Sequence, residues 1–335
     1  MSKANTVKEY KCLNCNAGLE FNPESQNWDC NYCFSRFTKE ALDKVYVVDE
    51  PTHEEMPELD SYHCTSCGAE LLSDDTTSAT FCVYCKNPTV IRSRFSGKFK
   101  PRFVIPFKMT KEKAKSIYSA WIKKRFFAPS EFKLQEEIEK ITGIYAPFWL
   151  FDCTADGYIE GDATTVSSWR SGNYRYTKTR FFRVSRAGTM RYDNVPCDAS
   201  KKLDDTLMHM IEPYNYTDLK DFSMQYMSGF MAEKYDVDSN EAEQIIQGRV
   251  KQFVETTLKS TVNGYASFSV ADSQVNLSDE NHDYSMLPLY LLVNKYKGKE
   301  HKFMINGQTG KVVGETPISI GKMFAFGGAL FAALT

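Results

Sequence analysis

Two stretches of the chain carry the same cysteine frame, CxxC, fourteen residues, CxxC: first at Cys12, Cys15, Cys30 and Cys33, then 52 residues later at Cys64, Cys67, Cys82 and Cys85. A CxxC knuckle sets two thiolates on one tight turn, and two knuckles close a tetrahedral sulfur shell around zinc, with Zn–S near about 2.3 Å. Eight cysteines fill two such shells and leave no position for water, so two structural Zn2+ sites are expected; iron in a tetrathiolate shell is the competing metal. A module of roughly thirty residues buries too little apolar area to fold alone, so the metal must supply its folding free energy. Ala17 and Leu19 recur as Ala69 and Leu71, and Tyr32 recurs as Tyr84, which marks a duplicated zinc ribbon.

The remaining cysteines, Cys153 and Cys197, lie in apolar, strand-like surroundings and read as core thiols. His63 adjoins Cys64, but the shell there is already full. Met1 to Tyr10 is polar and lacks the apolar core of a secretory signal, which with ten cysteines in the chain points to metal ligation in a reducing compartment rather than disulfides.

At 335 residues more than one domain is expected, and a formal net charge of −2 gives no global attraction to nucleic acid. The layout reads as a first ribbon over 1–37, an acidic linker over 38–61, a second ribbon over 62–92, an α+β body over 93–317 and a hydrophobic segment over 318–335. Residues 40–60 hold eight acids against Lys44 alone, with Pro51 and Pro57, which is linker composition.

In the body, Phe103 to Phe107 reads as a strand, and Thr110 caps a helix running to about Phe127 with Ala114, Ile117, Tyr118, Trp121 and Ile122 on one face. Residues 141–198 read as a β-meander broken at Asp156-Gly157 and Gly172-Asn173. A second helix spans Ser239 to Ser260, and strands follow with turns at Lys297-Gly298 and Asn306-Gly307. Ile144 to Phe151 and Ser285 to Leu292 each present a proline opening an apolar strand, a weak internal repeat of the kind buried on both faces.

The chain from Ile318 to Thr335 is apolar apart from Lys322. A spanning helix needs about 20 such residues, so a short or truncated membrane anchor, an interfacial helix and a buried terminal helix compete, the anchor being preferred. Basic stretches at 92–125 and 170–191 are interleaved with aromatics such as Trp169, Tyr174 and Tyr176, a pattern suited to nucleic acid, to anionic lipid or simply to a solvated sheet face. Gly307 to Lys311 only superficially resembles a phosphate loop, because Val312 follows the lysine where Ser or Thr is required. His209, His282 and His301 form no recognisable arrangement with a nucleophile, and the chain is expected not to be an enzyme.

The paired ribbons, together with Ile105-Pro106-Phe107-Lys108, Gly143 to Leu150, Gly229-Phe230-Met231-Ala232-Glu233 and Asn306 to Gly314, resemble the bacterial YdjG-type double zinc-ribbon membrane proteins over nearly the whole chain. These are TFIIB-type zinc-ribbon proteins that often carry a primosomal-helicase-like label. The resemblance implies ribbons and body in the cytosol, held at the cytoplasmic membrane by the C-terminal segment. It further implies a non-enzymatic adaptor that meets PspA (ESCRT-III-like) or flotillin-like scaffold proteins in envelope stress. The alternative is a nucleic-acid-binding zinc-ribbon protein, whose binding would weaken steeply with salt.

Overall fold

The computed structural model describes residues 7–8, 10–46, 61–63, 70–72, 77–81, 88–91 and 99–334. The fold is α+β, a large sheet accompanied among the described residues by six α-helices: α1 (Lys39–Asp43), α2 (Lys111–Lys123), α3 (Gln135–Ile138), α4 (Asp205–Ile211), α5 (Ser239–Ser260) and α6 (Ile320–Leu334). Contacts divide the chain into two compact units: Met1–Phe148 with Asp198–Val237 and Tyr284–Thr335, and Trp149–Cys197 with Asp238–Asp283.

In the first unit the strands lie in the order Val7–Lys8, Pro88–Ile91, Thr77–Phe81, Met231–Glu233, the beginning of Thr142–Ser171, the end of Ser267–Tyr296, Lys299–Asn306 and Val312–Gly314. Every residue from Ile144 to Phe148 and from Tyr284 to Tyr290 is buried, as unbroken apolar runs require. Pro147 and Pro288 nevertheless sit inside their strands rather than opening them. Each contributes only its carbonyl: Pro147 O accepts from Ala199 N at 3.1 Å and Pro288 O from Gly307 N at 2.9 Å, so the missing N–H leaves no partner stranded. Ile105, Ala146, Leu207, Leu287 and Met304 share one core cluster. Beside it Phe107 stacks on Phe230 with ring centroids 4.1 Å apart.

Helix α2 forms on the predicted face, with Thr110 accepting from Lys113 N at 3.3 Å and Ala114, Tyr118 and Ile122 buried one turn apart. It stops at Lys123, short of Phe127, because the chain turns there, with Ala128 N bonded to Arg125 O ahead of Pro129.

In the second unit α5 has the predicted limits, capped by Asp238 and burying Ala242, Ile246, Val250, Val254 and Leu258. The expected break at Asp156-Gly157 is absent, and Thr142–Ser171 is one continuous strand. A Cβ at Gly157 would lie 2.3 Å from Val254 Cγ1, so this glycine admits the helix to the sheet instead of turning the chain. The break at Gly172-Asn173 does exist, with Gly172 at φ +60°, and makes a single long hairpin with Tyr174–Asp198 in place of a meander.

The expected membrane anchor is corrected. No helix among the described residues is long and apolar enough to cross a membrane. Helix α6 has 15 residues, about 22 Å at 1.5 Å per residue, against a hydrocarbon core of about 30 Å. At its base Ser319 N donates to Phe127 O at 2.8 Å, Lys322 Nζ donates to Ala128 O at 2.6 Å, and Phe326 packs edge-on against Phe126 and Phe127.

Candidate metal centre

The cluster begins with two tight turns. Cys12 N donates to Ala17 O at 2.6 Å and Asn16 N to Cys12 O at 2.9 Å; in the second turn Cys30 N donates to Ser35 O and Phe34 N to Cys30 O, both at 2.9 Å. In each, the residue after the second cysteine is left-handed, Asn16 at φ 65° and Phe34 at φ 59°. The antiparallel pair Leu19–Asn22 and Asn27–Cys30 carries the second turn back over the first, with Leu19 opposite Cys30.

The four sulfurs of Cys12, Cys15, Cys30 and Cys33 lie within 4.8 Å of one another. Cys12 Sγ is 3.4 Å from Cys33 Sγ, and Cys15 Sγ is 3.5 Å from Cys30 Sγ. A tetrahedral shell with bonds of about 2.3 Å has sulfur–sulfur edges of about 3.8 Å, so the cluster has the size to hold a metal ion, whereas a disulfide needs sulfurs about 2 Å apart. Hydrogen bonds from the Ser35 hydroxyl and backbone, then from Cys15, bring the Cys33 thiol down to about 6. Against a lowering backbone hydrogen bond at Ala17, burial and the neighbouring thiols of Cys33, Cys30 and Cys12 push Cys15 up to about 12. Four thiols sharing so small a space cannot all ionise on their own, and a central cation is what allows the fourfold thiolate.

The cluster is built into the first unit. Trp28 is fully buried between Phe21 and Tyr226, with ring centroids 5.1 and 5.4 Å away, and its Nε1 donates to Gln225 O at 2.8 Å. Phe21 N donates to Ser228 O at 3.0 Å, and the Ser228 hydroxyl donates to Leu19 O. Gln225 Nε2 reaches Asp43 Oδ1 on α1 at 2.8 Å, Gln26 Nε2 reaches Phe107 O at 2.8 Å, and Tyr46 brackets Lys11 through both backbone groups. Gly229, at φ +92°, lies where a Cβ would meet Glu20 Cβ at 3.3 Å, so glycine permits both the turn and the approach. Nothing in the residue types of Met224–Met227 or Ser228 announces this contact in the sequence; only the Gly229-Phe230 string hints at it.

Cys64, Cys67, Cys82 and Cys85 lie outside the described residues. The ladders that flank them are described, and their registers repeat those of the first module displaced by 52 residues. Lys11↔Gly18 recurs as His63↔Glu70, Asp29↔Arg36 as Phe81↔Pro88, and Trp28↔Phe37 as Thr80↔Thr89.

Other residues singled out in the sequence lie elsewhere. Cys153 and Cys197 are buried, and burial raises the Cys153 thiol. His282 rests against the rings of Trp149 and Phe151, His301 against Phe132, and His209 Nδ1 is 3.5 Å from Glu212. The Asn306-Gly307 turn is structural. Buried Asn306 donates to Ile211 O and accepts from Gln308 N and Thr309 N, and a Cβ on Gly307 would lie 2.7 Å from Phe107.

One titrating group was not legible in the sequence. Burial pushes the Asp198 carboxyl up to about 7, against a lowering bond from Ser200 N and with Asp205 and Asp236 nearby. A carboxyl whose folded pKa lies above its unfolded value of about 3.9 favours the fold while protonated, and that contribution is lost as pH rises from about 4 through about 7. Asp198→Asn is therefore expected to unfold at a higher temperature than wild type at pH 8, with the gap closing towards pH 4. A gap that does not change with pH would contradict the raised pKa.

No family model and no solved structure matches the chain. Among curated proteins, the uncharacterized protein YdjG of Bacillus subtilis (strain 168) is 35% identical over 332 residues, covering 98% of this chain and 96% of the relative.

Proposed function

The chain belongs to the YdjG family, and from that premise we propose that it is a non-enzymatic, zinc-built adaptor that offers the knuckle tips of its first ribbon to a protein partner. Zinc is the metal favoured for Cys12, Cys15, Cys30 and Cys33, because an all-thiolate shell in a closed site asks for no redox chemistry. The repeated ladder registers support a second zinc held by Cys64, Cys67, Cys82 and Cys85.

The observation that carries the adaptor reading is Phe34. It sits in the left-handed region and is 87% exposed. A bulky residue in that conformation costs on the order of 1 kcal/mol or more, and folding gains little from a ring left in water. The matching positions of the frame hold Asn16, Gly68 and Lys86, none of them apolar. Tyr32 and Leu13, on the same two knuckles, are exposed as well, and exposed aromatic anchors are what protein interfaces use as hot spots.

Phe34→Gly removes the ring and suits the backbone, so its melting temperature is expected to match or exceed that of wild type. Affinity capture of the intact protein, compared between wild type and Phe34→Gly, checks the reading. PspA-like and flotillin-like scaffolds, the partner class implied by the family resemblance, are the first proteins to reconstitute with both forms. A partner bound by wild type and lost by at least tenfold in the variant is expected; equal binding by both would overturn the reading.

A further inference from the structure

We propose that the hairpin arm of the second unit, residues 166–183, binds single-stranded nucleic acid. This goes beyond the adaptor reading and does not depend on the metal. The start of strand Ser267–Tyr296 meets this hairpin at Thr164, whose carbonyl accepts from Ala266 N at 2.6 Å and whose hydroxyl bonds Ser267. Beyond that point every residue from Val166 to Arg183 is exposed, and apart from Phe182, whose ring meets Tyr265 edge-on at the base, the arm is a two-stranded ribbon with both faces in solvent.

Its register follows from two cross-strand pairs, Ser168 Oγ to Thr177 Oγ1 at 3.0 Å and Trp169 stacked on Tyr176. The two rings are within 14° of parallel with centroids 5.6 Å apart, and they are 51% and 47% exposed. Stacked in this way they form an aromatic platform that no other ring covers among the described residues. Side chains alternate along a strand, so Lys178 and Arg180 share the platform's face and lie at steps of about 7 Å from Tyr176.

Charge selects an anionic occupant. No acid occurs between Asp162 and Asp193. Arg183 is neutralised by Glu160 and Asp162, whereas Arg170, Arg175, Lys178 and Arg180 make no ion pair among the described residues. An acidic peptide would satisfy these cations without using the ring faces, and an anionic lipid surface takes Trp and Tyr at its interface but gains nothing from their parallel stacking. Unpaired bases stack on such platforms while cations beside them track the phosphates. A duplex hides the faces of its bases from the platform. With few groups placed to read base edges, weak sequence preference is expected.

The test is fluorescence anisotropy of the full chain with a labelled oligothymidylate of roughly 20 nucleotides. Binding is expected at low salt, with log affinity falling against log salt at a slope of about −1.4 for two phosphate contacts. Trp169→Ala with Tyr176→Ala should weaken binding about tenfold or more and leave that slope unchanged. Lys178→Ala with Arg180→Ala should bring the slope close to zero. All four positions are exposed, so melting temperatures should not move, and Phe34→Gly should bind the oligonucleotide like wild type. No wild-type binding at low salt, tighter binding to a duplex of the same length, or indifference to the arm variants would each overturn the proposal.

Discussion

Cys30→Ser is expected to remove one zinc per chain and to unfold the first ribbon together with part of the first unit. Cys30 is 1% exposed, and its sulfur is 3.5 Å from that of Cys15, so a serine there can neither complete the shell nor reach water. Metal binding by such modules carries about 10–16 kcal/mol of folding free energy, far more than a hairpin of this size could replace. Loss does not stop at the ribbon, because Leu19, Phe21 and Trp28 pack or bond against Tyr226 and Ser228, on the far side of the unit's chain path. Elemental analysis should show one zinc fewer than wild type, and hydrogen exchange should accelerate in 224–231 as well as in 10–46. Cys153→Ser, a buried thiol of the second unit, should leave the zinc content unchanged. Undisturbed exchange in 224–231 after loss of the metal would show that the ribbon folds apart from the body.

Trp28→Ala separates the docking from the shell. Trp28 is fully buried, and truncating a buried tryptophan costs about 3–5 kcal/mol. The Gln225 carbonyl loses its donor at the same time, adding on the order of 1 kcal/mol. For a unit of this size the melting temperature should fall by on the order of 10 °C. Zinc content should hold, because no ligand is touched and the turns at Cys12 and Cys30 are closed by their own backbone bonds. Trp28→Phe, which keeps most of the ring, should lose less than half as much. A melting temperature that barely moves would mean that the ribbon rests on the body without stabilising it.

The cysteine frame was readable because the spacing itself encodes geometry: two knuckles and a hairpin of fixed length bring four sulfurs together wherever the rest of the chain goes. Helix α5 has the limits its apolar periodicity suggests, although Ile245 and Phe253, two of the apolar positions that mark it in the sequence, are exposed and the buried stripe runs through Val250 and Val254 instead. Glycine was the least reliable sign. Gly172 does turn the chain, but Gly157 lies within a strand because Val254, almost a hundred residues later, needs its space. Pro147 and Pro288 misled in the same way, since their missing N–H is harmless in strands where only the carbonyl is used. The docking of Trp28 onto Gln225 joins residues 197 positions apart through a backbone carbonyl that any residue type could supply. The division into units, with the chain leaving the first after Phe148 and returning to it twice, depends on the same kind of distant contact. The C-terminal segment was read from apolarity as a short or truncated anchor, and no helix among the described residues is long and apolar enough to cross a membrane.

X-ray absorption at the zinc edge of the purified full chain tests the central claim most directly. A first shell of four sulfurs at about 2.3 Å, with zinc in whole-number stoichiometry to the chain, is the predicted result. A shell containing oxygen or nitrogen, iron in place of zinc, or protein folded without metal would contradict it.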